Sequence, residues 1–114
     1  MTVEKLFNDV KHLKRDEYTN EDLCLWLNEL EGRIQTEVYQ TPLAELVVYD
    51  SVADAERALI VPFPYDGLYR WYLFAMIDFT NAEFDKYQNE MVMFNSAYAA
   101  FKKWYCETNN TAEE

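Results

Sequence analysis

Residues 66–80 read DGLYRWYLFAMIDFT, and this stretch decides the fold. Leu68, Tyr69, Trp71, Tyr72, Leu73, Phe74, Ala75, Met76, Ile77 and Phe79 leave it almost no polar side. A helix apolar all round is one buried from several directions. Asp66 supplies the expected N-cap and Thr80-Asn81 the expected end, so the segment reads as a central helix.

Downstream, Phe84, Tyr87, Met91, Phe94, Tyr98, Phe101 and Tyr105 recur at steps of three and four, which predicts a helix over about 82–106. The two helices are expected to form an antiparallel hairpin around Thr80-Asn81, with one continuous kinked helix as the alternative. Upstream, Leu23, Trp26, Leu27, Leu30, Ile34 and Val38 predict a helix over 19–39. Thr19 with Asp22 three residues on resembles a capping box, and Asn28, Glu29, Arg33 and Gln35 fall on the face expected to meet solvent. Gly32 interrupts this helix at a cost of about 1 kcal/mol relative to Ala, which close approach of another backbone would explain. A short first helix follows from Thr2 as N-cap and from Val3, Leu6, Val10 and Leu13.

Between residues 40 and 65 the character changes. Thr41-Pro42 stops the second helix, and Leu46-Val47-Val48-Tyr49 and Leu59-Ile60-Val61 are short runs rich in β-branched residues. They predict either a two-stranded hairpin or an extended arm that pairs with a neighbouring molecule through its free edge. Pro62-Phe63-Pro64 is expected to be extended and stiff. The fold class is therefore mainly α: a four-helix orthogonal or hairpin-type bundle with a short β-hairpin or extended arm between the second and third helices. One domain spans 1–106 with its arm at about 41–65, and 107–114 reads as a flexible polar tail.

Composition narrows the function. The 114 residues carry a net charge of −11, which repels nucleic-acid phosphates at long range. The one cationic cluster, Lys11, His12, Lys14 and Arg15, is flanked by Asp9, Asp16 and Glu17 and reads as a solvated helix end. No apolar run is long enough for a membrane span, and residues 1–10 lack the basic-then-apolar order of a signal peptide, so a cytoplasmic protein is expected. Cys24 and Cys106 are then expected to be thiols. The lone His12 has no Cys or His at ligand spacing, no Gly-rich phosphate loop is present, and no carboxylate pair is marked out for acid–base work. The expectation is a chain with no catalytic residues, no metal and no cofactor. Aromatic residues make up 17% of the chain, a surplus that fits either a dense core or an adhesive surface.

Several stretches resemble a group of small proteins encoded in the structural-gene blocks of tailed phages and prophages. The likeness runs through Pro64-Tyr65-Asp66, Leu68-Tyr69, Tyr72-Leu73, Ala75-Met76-Ile77-Asp78 and Asn81-Ala82-Glu83. It continues in Asp85-Lys86-Tyr87-Gln88-Asn89, Met93-Phe94-Asn95-Ser96-Ala97-Tyr98 and Trp104-Tyr105. The N-terminal half joins it through Thr2-Val3-Glu4, Leu13-Lys14 and the run from Trp26 to Ile34, while 47–58 is the loosest part. Such proteins look like head–tail connectors, or adaptors, helical subunits that form a ring under the portal. The resemblance implies copies of the chain itself and phage portal or tail-completion proteins as partners, with DNA passing nearby and not specifically bound. It places the protein in the bacterial cytoplasm during assembly and in the virion neck afterwards. The residues expected to carry contacts are Leu46, Val47, Val48, Tyr49, Phe63, Tyr65 and Tyr69. A small cytoplasmic regulator that binds one protein as a monomer or dimer is the alternative.

Overall fold

A computed structural model describes residues 1–14 and 17–109 as four α-helices, with no strand among them. Helix α1 is Val3–Leu13, α2 is Asn20–Glu37, α3 is Gly67–Thr80 and α4 is Phe84–Asn109, with one 3-10 turn at Leu43–Glu45. Their starts follow from local chemistry. Thr2 Oγ1 accepts the Lys5 N–H at 3.1 Å, satisfying one of the four donors a helix start leaves open. Thr19 and Asp22 form the full capping box, Thr19 Oγ1 accepting the Asp22 N–H at 3.2 Å and Asp22 Oδ2 accepting the Thr19 N–H at 3.0 Å. Asp66 stands at the start of α3 without a capping bond, and its carboxylate lies 3.7 Å from the Met1 amino group instead.

The third and fourth helices form the antiparallel hairpin, and a ladder of rings fixes its sense. Phe79 meets Phe84 and Tyr87, Tyr72 meets Phe94, and Tyr65 meets Phe101 and Trp104. Numbers fall along one strand of the ladder as they rise along the other. The turn closes when the Ala82 N–H donates to the Phe79 carbonyl at 3.0 Å and the Glu83 N–H to the Asp78 carbonyl at 2.8 Å. Those two bonds are the pairing of a Schellman motif, and they place Ala82 at φ 59°.

Helix α3 also packs against α1 and α2, so its apolar circumference is used on three sides. Leu68, Tyr69, Leu73 and Ile77 are buried there among Leu6, Phe7 and Val10 of α1 and Leu23, Leu27, Leu30 and Ile34 of α2. Each such side chain contributes about 1.5–3 kcal/mol by leaving water. Only Phe94, Tyr98 and Phe101 are buried along the 26 residues of α4.

Two expectations for the connecting segment are corrected. Among the described residues the expected β-hairpin is absent: 46–49 and 59–61 do not pair with each other, and the one bridge joins Thr2 to Ala58. Each run is held by a helix. Arm carbonyls accept the open donors at the start of α1, Val3 N–H to Arg57 at 3.0 Å and Glu4 N–H to Ala55 at 2.8 Å. The prolines do not extend the chain; 63–66 turns, with the Tyr65 N–H donating to the Pro62 carbonyl at 2.9 Å and a cis Phe63–Pro64 bond. Helix α4 runs on through Glu107, Thr108 and Asn109, and the rest of the expected tail, 110–114, lies outside the described residues.

Gly32 is open as well. A Cβ built there meets nothing within 4 Å, so no neighbouring backbone explains the glycine.

Candidate interaction arm and its buried anchor

Along α2, Leu27, Leu30 and Ile34 point into the core, and each is followed by a residue with hydrogen-bonding capacity: Asn28, Glu31 and Gln35. Positions 28, 31 and 35 share one stripe of a helix. That stripe faces the arm, which corrects the expected solvent-facing placement of Asn28 and Gln35. Asn28 Oδ1 accepts the Tyr49 N–H at 2.8 Å, and Asn28 Nδ2 donates to the Tyr49 carbonyl at 3.0 Å. About two turns further on, Gln35 Oε1 accepts the Val47 N–H at 2.8 Å and Gln35 Nε2 donates to the Val47 carbonyl at 3.0 Å. The two amides do for 47–49 what a neighbouring strand would do.

Glu31 sits between them with 0% of its surface exposed. Its Oε1 accepts from the Tyr69 hydroxyl at 2.7 Å, and its Oε2 accepts from the Tyr49 hydroxyl at 2.8 Å and the Ile60 N–H at 3.2 Å. The Tyr69 hydroxyl in turn accepts the Val61 N–H at 2.9 Å. One carboxyl group thus ties α2, α3 and both runs of the arm together. Burial pushes Glu31 above the ordinary carboxylate range, against the pull of its Tyr69, Tyr49 and Ile60 donors. Burial and the facing Glu31 also raise both phenols, so Tyr49 and Tyr69 remain protonated donors. No solute reaches the Glu31 carboxyl, and its chemistry is that of a structural staple.

This frame sorts the seven residues picked from the sequence. Tyr49 and Tyr69 are buried, and the structure brings them together on Glu31. Leu46 and Val47 are half-buried, and Tyr65 is half-buried with its ring stacked 5.3 Å from Trp104. Val48, 68% exposed, and Phe63, 85% exposed, face outward. Asn28, Glu31 and Gln35 are the residues that periodicity misses, although a polar residue directly after each core position on α2 is a readable signal.

A second polar cluster joins α1 to the hairpin. Lys14 Nζ lies 2.5 Å from Asp78 Oδ2 and 2.8 Å from Glu90 Oε2. Lys14 is therefore an inward ion-pair partner, which corrects its reading as part of a solvated helix end; Arg15 and Asp16 of that group lie outside the described residues. Burial and the shared contact with Asp78 push Glu90 up to about 7, against the pull of Lys14. Asp78 is lowered, its burial outweighed by its hydrogen bonds to Glu90 and Lys14.

Cys24 is buried, with its thiol directed at the Tyr49 carbonyl at 3.3 Å, and Cys106 is exposed. Cys106 borders an open cleft of about 240 Å³ beside Glu37, Tyr39, Lys102 and Tyr105. The Glu37 carboxylate there is engaged by Arg33 at 2.9 Å and by the Tyr98 hydroxyl at 3.0 Å. Among the described residues, no three His, Cys, Asp or Glu side chains are placed to share a metal ion, and no helix is long and apolar enough to cross a membrane.

No protein-family model, curated protein or solved structure matches the chain.

Proposed function

We propose that the chain is a structural subunit of a tailed-phage head–tail connector, a ring component that binds the portal and its own neighbours. The observation that carries this reading is α4, whose 26 residues bury only Phe94, Tyr98 and Phe101 within the chain. Phe84, Val92 and Met93 of the same helix are exposed, and Phe79 lies exposed beside Phe84 at the hairpin turn. Apolar side chains left open along so long a helix suit a protein that completes itself against partners. The four helices act in this reading as a hairpin-type bundle, and the arm adds Val48 and Phe63 to the adhesive surface. A charge of −11 suits a subunit beside passing DNA, which slides without being held. The protein assembles in the bacterial cytoplasm and remains in the virion neck. Its work is contact between proteins, without catalysis or cofactor.

One observation favours a second reading. The core that gathers Leu6, Leu27, Tyr69 and Phe94 is closed within a single chain, as a free-standing regulator that binds one protein requires. Co-purification with the portal protein of the same structural-gene block, followed by electron microscopy, separates the two. A ring stacked on the portal with matching symmetry supports the connector. A folded chain that leaves an intact portal unbound supports the regulator.

A further inference from the structure

The arm is hydrogen-bonded like a strand along one edge only. Val47 and Tyr49 turn their N–H and C=O groups to Gln35 and Asn28. In an extended chain the residue between them turns its own groups to the opposite edge. Val48 N–H and C=O have no partner among the described residues, and its side chain is exposed. Three aliphatic side chains of the arm are exposed: Leu43 at 79%, Val48, and Val52 at 83%. The edge is short. At one end the Leu46 N–H is taken by the Leu43 carbonyl, and at the other the Asp50 N–H is taken by Asp54 Oδ2 at 2.7 Å.

We propose that this edge accepts one short antiparallel strand from a different protein, a strand of alternating aliphatic and basic residues. The inference rests on the reading of the chain as a protein-binding subunit. The hydrogen-bonded pair forms at Val48, whose N–H and C=O both exchange with one residue of the incoming strand. Charge selects the occupant. Glu45 and Asp50 flank Val48, and the Asp50 carboxylate is held below its ordinary range by the Ala53 and Val52 N–H donors, so it stays ionised. The nearby cation Arg57 is engaged already, 3.8 Å from Asp54 and over the Tyr49 ring. A second copy of the arm paired antiparallel about Val48 brings Glu45 and Asp50 of both arms, and two chains of net charge −11, together with no cation between them, which opposes self-pairing. A strand carrying Lys or Arg meets those same acids favourably.

The test uses the whole chain and a blocked hexapeptide of alternating Lys and Val, with the Glu–Val counterpart as control. Amide exchange and chemical shifts are read by NMR at millimolar peptide. The expected result is at least tenfold slower exchange at the Val48 N–H with the Lys–Val peptide and none with Glu–Val. Val48→Pro removes the outward donor without removing an internal hydrogen bond, and it should weaken peptide binding at least tenfold at an unchanged unfolding midpoint. The exchange measurement needs no variant, so it decides even where Val48→Pro fails to fold. An unprotected Val48 N–H overturns the proposal, as does equal protection by the Glu–Val peptide. Protection that grows with concentration of the chain alone assigns the edge to a second copy and also overturns it. An unprotected Val48 with portal binding intact sinks the edge and leaves the connector standing; a protected Val48 without portal binding supports the edge and sinks the connector.

Discussion

The Tyr69 hydroxyl donates to Glu31 Oε1 across 2.7 Å while it accepts the Val61 N–H at 2.9 Å. One phenol oxygen is therefore a donor to a buried carboxyl and an acceptor for a buried backbone donor. Tyr69→Phe keeps the ring and strands both partners. Each buried group left unsatisfied costs about 1–3 kcal/mol, so a loss of about 2–5 kcal/mol is expected. Tyr49→Phe removes one donor to Glu31 Oε2, which keeps the Ile60 N–H, and a smaller loss of about 1–2 kcal/mol is expected. Urea unfolding of the two variants checks the order. Equal losses would mean that the Val61 bond contributes nothing.

The two amides of α2 carry the next prediction. Asn28→Ala and Gln35→Ala each release the N–H and C=O of one arm residue, at about 1–3 kcal/mol apiece. Tyr49 keeps a weak thiol donor from Cys24 for its carbonyl, so Gln35→Ala should be the more damaging at equal burial. Hydrogen exchange gives a local readout. In the unaltered chain the Val47 and Tyr49 amides should exchange slowly and Val48 fast. Gln35→Ala should speed Val47 alone, and Asn28→Ala should speed Tyr49 alone. A uniform change across all three would show that the arm moves as one body and is not pinned residue by residue.

These amides also mark where the sequence stops being legible. All four helices were readable, because Thr2, the Thr19–Asp22 box and apolar steps of three and four are local signals. The antiparallel hairpin is legible from the break at Thr80-Asn81, and Phe84, Tyr87 and Phe94 meet α3 from the expected apolar face of α4. Leu46–Tyr49 was readable as extended chain, but extension does not say what accepts its hydrogen bonds. Periodicity assigned Asn28 and Gln35 to water, since the stripe that meets an arm is as polar as one that meets solvent. Lys14 is hidden for a like reason: its partners Asp78 and Glu90 lie 64 and 76 positions further along the chain. Of the candidate contact residues, only exposure separates Val48 and Phe63 from Tyr49 and Tyr69.

The Lys14–Asp78–Glu90 cluster predicts how stability varies with pH. Glu90 is raised from 4.5 to about 7 in the folded chain. The folded state therefore holds a proton that the unfolded state releases. The stability attached to that proton is complete below about 4.5 and is lost as pH rises towards about 7. Asp78 is lowered from 3.8, so its contribution is present above that value and disappears only in stronger acid, outside the Glu90 window. Glu90 Oε1 is buried without a hydrogen-bond partner among the described residues, so the ionised carboxylate lacks a donor there that would stabilise its charge. Glu90→Gln fixes the neutral form, and its urea midpoint should fall less steeply than the unaltered chain's across pH 4.5–7. Glu31 is raised as well and leaves a residual slope of the same sign. A midpoint that rises over this window in the unaltered chain would contradict the assignment.

Two backbone positions test whether this chain's local geometry is optimised for its own stability. Gly32 lies inside α2 where a Cβ meets nothing within 4 Å, so Gly32→Ala should stabilise by about 1 kcal/mol through helix propensity alone. Ala82 occupies the left-handed position of the Schellman turn at φ 59°, where an L side chain costs about 1–2 kcal/mol. Ala82→Gly relieves that cost and surrenders part of the gain to the freer unfolded chain, leaving about 0.5–1 kcal/mol. The sites lie on different elements, so the double variant should gain about the sum of the two. Thermal unfolding measures both. A Gly32→Ala variant that is more stable and yet binds the portal less well would place a partner's backbone against that open face of α2. One that gains stability and keeps portal binding would show that the glycine serves neither the fold nor the assembly.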